Sequence, residues 1–325
     1  MRELEQDVLE RYPIDVGSTR KVRGAVLCEA REGIFLVREW MLSERRLQSM
    51  NALQEQISGE IETDAILKNR EGGLLTEMDD GTRYIVKHWF AARECDIRRE
   101  YELLEACRFL AKLHQVMRLS QESPFLEENL LDEYKRHNRE LKKVRSFIRG
   151  RVQKGTFETA FLGCFEEMYA LAEKTLERLA QSEYEELRTE SIQNRWAAHG
   201  DYNYHNLLIA EGQIKVTNFE RFHIGVQAAD FYYFLRKTME KTRWDKRLGD
   251  RMIQAYQSVR PLTKKEMEYL AIRLSYPEKF WKIADTYYSS NKAWIPVKSL
   301  EKLETEICQT KEKSSFLRQI FSFHL

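Results

Sequence analysis

The residues best suited to chemistry lie in one stretch, Trp196 to Lys237, which reads WAAHGDYNYHNLLIAEGQIKVTNFERFHIGVQAADFYYFLRK. His199-Gly200-Asp201 is followed, after four residues, by Asn206. Next come an apolar run, a turn at Gly212, a short β-like run with Ile214 and Val216, and Asn218-Phe219-Glu220. Phosphoryl transfer asks little covalent help of a protein. It needs a base or orienter for the attacking hydroxyl, cations on the phosphates and ligands for a metal ion. Asp201, between Gly200 and a polar loop, suits the first role, with its carboxylate at the floor of a cleft. Asn206 suits a magnesium ligand through its amide oxygen. Asp230, at the start of the following helix, suits a cap.

Two kinds of sequence must position these groups. Residues 1–12 read as a short amphipathic helix with Leu4, Val8 and Leu9 on one face, stopped by Pro13. From Arg20 to Trp40 the pattern is strand: KVRGAVLCEA, a turn at Arg31-Glu32-Gly33, then GIFLVREW. A helix follows from Ser43, its N-cap, to about Ile57, with Leu47, Met50, Leu53 and Ile57 at helical spacing. GGLLTEMDD and TRYIVKHWF read as two more strands joined at Asp80-Gly81. The predicted order over the first ninety residues is therefore β-β-α-β-β.

Beyond this the chain is almost all helix. Asp96 is expected to cap a helix from Ile97 to about Met117, with His114 on its apolar stripe as a core histidine. A second helix runs from Leu131 to about Gly150, with Leu141, Val144, Ile148 and Val152 as its stripe. Nine Lys or Arg lie between Lys135 and Lys154, with Glu140 the one acid. That run reads as a solvated face first and as an anionic partner surface second. A third helix covers about Glu158 to Ala180, and helices resume after Ala228. The aromatic-rich segment Tyr276 to Trp294 reads as core through Phe280, Ile283, Ala284 and Tyr287.

Composition bounds the class. The chain has 325 residues, 42% hydrophobic and 32% charged, enough for two lobes with ample core. A net charge of +1 supplies no overall field for nucleic acid or membrane. The N-terminal sequence is acidic and lacks an apolar h-region, so no signal peptide is expected, and no run of about 18 apolar residues predicts a membrane span. Five scattered cysteines without a C-x-x-C pair argue for a reducing compartment and against a zinc site or disulfide frame.

Nearly the whole chain resembles the aminoglycoside phosphotransferase/choline kinase branch of the protein kinase-like fold, and within it the CotS-type spore coat proteins. HGDYNYHNLLI, VTNFERFHIGVQAADFYYFLRK, LAKLH, ARECD and YPEKFWKIADTYY carry the resemblance. It implies an α+β, two-lobed architecture: a small antiparallel β-sheet lobe with one helix over residues 1–90, and a mainly helical lobe over 91–325 that carries the catalytic-type loop 199–206. The hinge is expected near Lys87–Cys95, with an ATP-sized cleft between the lobes.

Carried over by residue, the resemblance makes Asp201 the catalytic acceptor and Asn206 a metal ligand. It also implies nucleotide contacts at Arg38, Glu44, His88 and Phe90. Arg38 stands where a phosphate-gripping strand lysine belongs, with Glu44 as the nearest helix partner. Asn218 stands where a metal-binding Asp belongs, and Glu220 is the residue that would substitute for it. Magnesium favours anionic oxygen ligands, so two neutral amides lead us to expect ATP and Mg2+ held weakly or not at all. The resemblance points to a catalytically degenerate component synthesised in the mother-cell cytoplasm and built into the spore coat, with other coat proteins as partners and a nucleotide as a further ligand. The competing readings are an active ATP-dependent phosphotransferase on a small hydroxylated substrate, and an anionic-polymer or nucleic-acid binder working through the Lys135–Lys154 face.

Overall fold

Apolar alternation along successive strands builds an antiparallel sheet whose two faces do different work. The computed structural model describes residues 7–22, 24–289 and 297–324. After a helical turn at residues 7–10 come β1 (Val16–Val22), β2 (Ala25–Ala30), β3 (Gly33–Glu39), α1 (Glu44–Ile57), β4 (Ile66–Leu67), β5 (Thr76–Glu77) and β6 (Arg83–Trp89). The strand order is β1-β2-β3-β6-β4, with β5 also on β6. On one face Val26, Cys28, Phe35, Val37 and Val86 pack with Val8, Leu9 and Tyr12 in a buried cluster. The other face carries Leu36 and Arg38 of β3 opposite Lys87 and Ile85 of β6. Arg38 and Lys87 are thus diagonal neighbours on one surface of the sheet.

Two local expectations change. KVRGAVLCEA is a hairpin, not one strand: the chain turns at Gly24, whose φ of +69° suits a residue without Cβ. The helix is therefore preceded by three strands. GGLLTEMDD contributes only β5, because Asn69 organises the preceding loop. Its side chain accepts from the backbone N–H of Glu71 and Gly73 and donates to the Leu75 carbonyl.

β7 (Arg93–Glu94) joins β9 (Leu207–Ala210) and β10 (Gln213–Val216) in a second sheet, and β8 (Ala197–Ala198) pairs with β11 (His223–Ile224). Between them in sequence lies α2 (Glu100–Val116). Asp96 does not cap α2, which starts after Arg99; its carboxylate instead accepts from the backbone and guanidinium of Arg98. His114 is buried, as a core histidine should be.

The chain divides into two compact units, Met1–Phe125 with Arg195–Ile224, and Leu126–Asn194 with Gly225–Leu325. The second unit is helical: α3 (Leu130–Gly150), α4 (Thr156–Gln181), α5 (Tyr184–Gln193), α6 (Ala228–Lys241), α7 (Lys246–Gln257), α8 (Lys264–Ser275), α9 (Glu278–Ser289) and α10 (Val297–Phe321). Leu141, Val144 and Ile148 of α3 meet Phe161, Phe165, Phe280, Ile283 and Tyr287 in its core. Val152 does not extend that stripe: α3 ends at Gly150, and Val152 is 99% exposed. Leu4 and residues 290–296 lie outside the described residues. Among the described residues no helix is long and apolar enough to cross a membrane.

Candidate functional site

Every residue of the His-Gly-Asp segment has a local reason to be there. The His199 ring is fully buried; its Nδ1 accepts from the Asp201 backbone N–H at 3.1 Å, which leaves Nε2 to donate to the Thr217 carbonyl at 3.0 Å. Gly200 has φ +81°, and a Cβ there would sit 2.1 Å from the Arg221 carbonyl oxygen. The Asp201 carboxylate accepts from Asn203 Nδ2 through Oδ1 at 2.9 Å. Its Oδ2 has no donor among the described residues.

The β9–β10 hairpin returns the chain to this loop. Thr217 donates its backbone N–H to the Asn206 carbonyl at 3.0 Å. Asn218 then takes a left-handed conformation, φ +66° and ψ +61°, which Asn tolerates better than most side chains. A 3-10 turn, Phe219–Arg221, follows.

The orientation of both site amides follows from one cation. Arg38 Nη1 lies 3.3 Å from Asn218 and 3.3 Å from Glu220 Oε1. A guanidinium can only donate, so Asn218 must turn its oxygen to Arg38 and its NH2 the other way. Asn218 Nδ2 accordingly donates to Asn206 Oδ1 at 2.9 Å. Asn206 Nδ2 in turn donates to the Asp201 carbonyl at 2.8 Å. Arg38, Asn218, Asn206 and Asp201 are thus joined end to end.

Behind this chain lies a buried charge cluster. Lys87 Nζ donates to Asp64 Oδ2 at 3.0 Å and to Glu220 Oε1 at 2.5 Å. Asp64 also accepts from the Asn218 backbone N–H at 2.9 Å and from Gln54 of α1 at 3.1 Å. The Thr63–Val216 bridge sets Asp64 beside that loop. Burial would pull the Lys87 ammonium down, but the Asp64 and Glu220 carboxylates outweigh it and hold it above the usual lysine value. Burial works against ionised Glu220 too, yet Lys87 and then Arg38 bring its carboxyl below the usual range. Asp64, fully enclosed, is pushed up by burial in spite of Lys87. From α1, Arg46 donates to the backbone carbonyls of Glu220 at 2.8 Å and Phe222 at 2.5 Å, and its guanidinium lies over the Phe125 and Phe222 rings.

Three candidates lie apart from the network. Glu44 is exposed on the first turn of α1 and accepts from Gln48. His88 follows Lys87 on β6 and so points to the opposite face, where its ring lies 5.1 Å from Phe35. Phe90, just after β6, has its ring 6.5 Å from that of Trp89. Three residues of the network, Asp64, Lys87 and Arg46, carry no motif. A lysine amid the apolar residues of YIVKHW is the one signal sequence offers, since a buried cation demands an acid. Its two acids lie 23 and 133 positions away.

The donor set does not fit a divalent cation as it is arranged. Asn206 Oδ1 receives an amide N–H, Asn218 Oδ1 faces a guanidinium, and Glu220 Oε1 is shared by Lys87 and Arg38. Magnesium wants unshared, preferably anionic oxygens. Among the described residues no group of three or more His, Cys, Asp or Glu side chains is placed to hold a metal.

This sheet, loop and hairpin define a kinase-like fold of the aminoglycoside phosphotransferase type. An aminoglycoside phosphotransferase from Alicyclobacillus acidocaldarius superposes with a TM-score of 0.87 at 16% identity, covering 97% of this chain and 94% of that one. A spectinomycin phosphotransferase solved with ADP and spectinomycin gives 0.68 at 12% identity, covering 96% and 98%. The chain belongs to the family described as "Spore coat putative kinase YutH", whose model matches residues 5–320. It is also 29% identical over 166 residues to spore coat protein S of Bacillus subtilis (strain 168), a match spanning 50% of this chain and 47% of that protein.

Proposed function

We propose that this protein is a spore coat component built on a kinase-like scaffold, with metal-dependent phosphotransfer lost or strongly reduced. It serves the coat structurally or by holding other coat proteins, after synthesis in the mother cell. One observation carries the reading. The Asn218 NH2 group bonds to the Asn206 amide oxygen, at the two positions where a metal would require oxygens facing one another. The transferring phosphoryl group depends on preorganised cations, and a metal competing with that amide is held loosely. In this reading residues 1–90 act as the β-rich lobe and 91–325 as the helical lobe carrying loop 199–206. A second reading, ATP-dependent transfer to a small hydroxylated substrate, is favoured by Asp201, whose Oδ2 has no donor among the described residues and suits a hydroxyl.

Magnesium-dependent ATP turnover separates the two. The protein is expected to turn over ATP roughly 10²–10³-fold more slowly than a competent site, the equivalent of about 3–4 kcal/mol of transition-state stabilisation. Asn218→Asp, alone and with Arg38→Lys, should raise the rate. Brisk turnover by the unmodified protein, abolished by Glu220→Gln, would establish the second reading with Glu220 as metal ligand.

A further inference from the structure

Arg38 is only partly used by the protein. All its bonds leave from Nη1, which is pinned by Asn218 Oδ1 and Glu220 Oε1. Nε and Nη2 have no partner among the described residues, and 41% of the side chain is exposed. The N–H groups of Nε and Nη2 run parallel along one edge of a guanidinium. That edge matches two oxygens of a phosphate group, a geometry lysine cannot offer.

The charges around it favour an anion over a dication. Asp64 and Glu220 are both engaged with Lys87, and Glu220 with Arg38 as well. Two acids and two bases leave that cluster neutral, and Arg46, bonded to the Glu220 and Phe222 carbonyls, adds a positive charge beside it. Among the described residues a metal ion finds one open oxygen each on Glu220 and Asp201 and two amide oxygens that are already bonded, whereas a phosphate finds an open guanidinium edge.

We propose that Arg38 binds the polyphosphate of a nucleotide directly and in bidentate fashion, taking the place of a divalent cation. This rests on the reading above that the site belongs to a nucleotide-type scaffold without efficient metal-dependent transfer. It adds a prediction that the reading does not require: nucleotide binding that needs no metal.

The test is calorimetric titration of the full chain with ATP, in EDTA and in magnesium, with ATP turnover measured on the same samples. The dissociation constants in the two buffers are expected to agree within about threefold. Arg38→Ala should weaken binding in EDTA by about tenfold or more. Arg38→Lys should restore only part of that loss, because it returns the charge without the fork. Thermal melts of both variants establish that they are folded. Asn218→Asp supplies an independent handle: it should weaken ATP binding in EDTA and make it magnesium-dependent. Binding that requires magnesium in the unmodified protein overturns the inference. So does binding in EDTA that is indifferent to Arg38→Ala or fully restored by Arg38→Lys. Absence of ATP binding in both buffers overturns it while leaving the loss of phosphotransfer standing. Brisk magnesium-dependent turnover overturns the underlying reading instead.

Discussion

Replacing the Asn218 amide with a carboxylate reverses one link in a chain of hydrogen bonds. Arg38 still finds an oxygen, but the atom facing Asn206 Oδ1 becomes a second acceptor, where a donor now stands at 2.9 Å. Asn206 cannot escape by flipping, because its own oxygen would then face the Asp201 carbonyl in place of the present 2.8 Å bond. Asn218→Asp is therefore expected to cost about 1–3 kcal/mol in EDTA, and magnesium should recover much of it. Denaturant melts in the two buffers check this, and a variant as stable as the parent in EDTA would refute the assigned amide orientations. Lys87 is the other residue on which the site depends. Lys87→Met leaves Asp64 and Glu220 buried without their shared cation and should cost about 3–5 kcal/mol. Urea denaturation of Lys87→Met beside Lys87→Met/Asp64→Leu tests the cause, since removing an orphaned acid should return part of the loss.

At the scale of elements, α1 is tied to the site by a clamp on backbone. Arg46 holds two carbonyls of the turn that follows Asn218, so the helix and the turn keep one relative position. In the helical unit, α3 and α9 meet through the His137 and Trp281 rings, stacked at 3.4 Å and 17°. Burial, more than any neighbour, pulls His137 down to about 4; Arg136 and Lys282 act with it, and Glu278 and Glu128 act against it. The unfolded chain binds this proton near pH 6.5, while the folded protein resists until about pH 4. Stability from the neutral ring is thus complete above pH 6.5 and is lost on acidification, on the order of 3 kcal/mol by pH 4. His137→Phe keeps a ring against Trp281 and removes the proton, so its stability should fall less steeply between pH 6.5 and 4. Parallel profiles for the two proteins would place the acid sensitivity elsewhere. Sequence showed α3, α4 and the catalytic-type loop because periodicity and fixed spacing are local properties. It hid the Gly24 hairpin inside an apolar-looking run and placed a cap at Asp96 that Arg98 pre-empts. The Asp64–Lys87–Glu220 cluster was illegible for a different reason: no local pattern encodes partners brought together by sheet register and a returning hairpin.

On the scale of the whole molecule, two basic surfaces are candidates for an anionic ligand, and they belong to different compact units. The first is the Arg38 network, built from residues of the unit formed by Met1–Phe125 and Arg195–Ile224. The second is the basic face of α3, in the other unit. That face is largely occupied. Arg136, Arg145 and Arg151 pair with Glu128, Glu166 and Glu158, while Lys142 and Lys143 lie over the Tyr169 and Tyr288 rings. Exposed pairs of this kind add little stability, but they lower the field an incoming polyanion would feel. The Arg38 edge, by contrast, has no competing acid on Nε or Nη2 among the described residues. A ligand at about a hundred times its Kd stabilises the species that binds it by about 2.7 kcal/mol, and slows hydrogen exchange where openings abolish binding. With saturating ATP, exchange is expected to slow over residues 34–39, 83–89 and 199–224 and to remain unchanged over 130–154. The same pattern should persist as salt is raised to levels that screen an exposed basic helix. Protection concentrated on 130–154 and erased by salt would instead make α3 the anion-binding element, and the kinase-like site a scaffold with no ligand of its own.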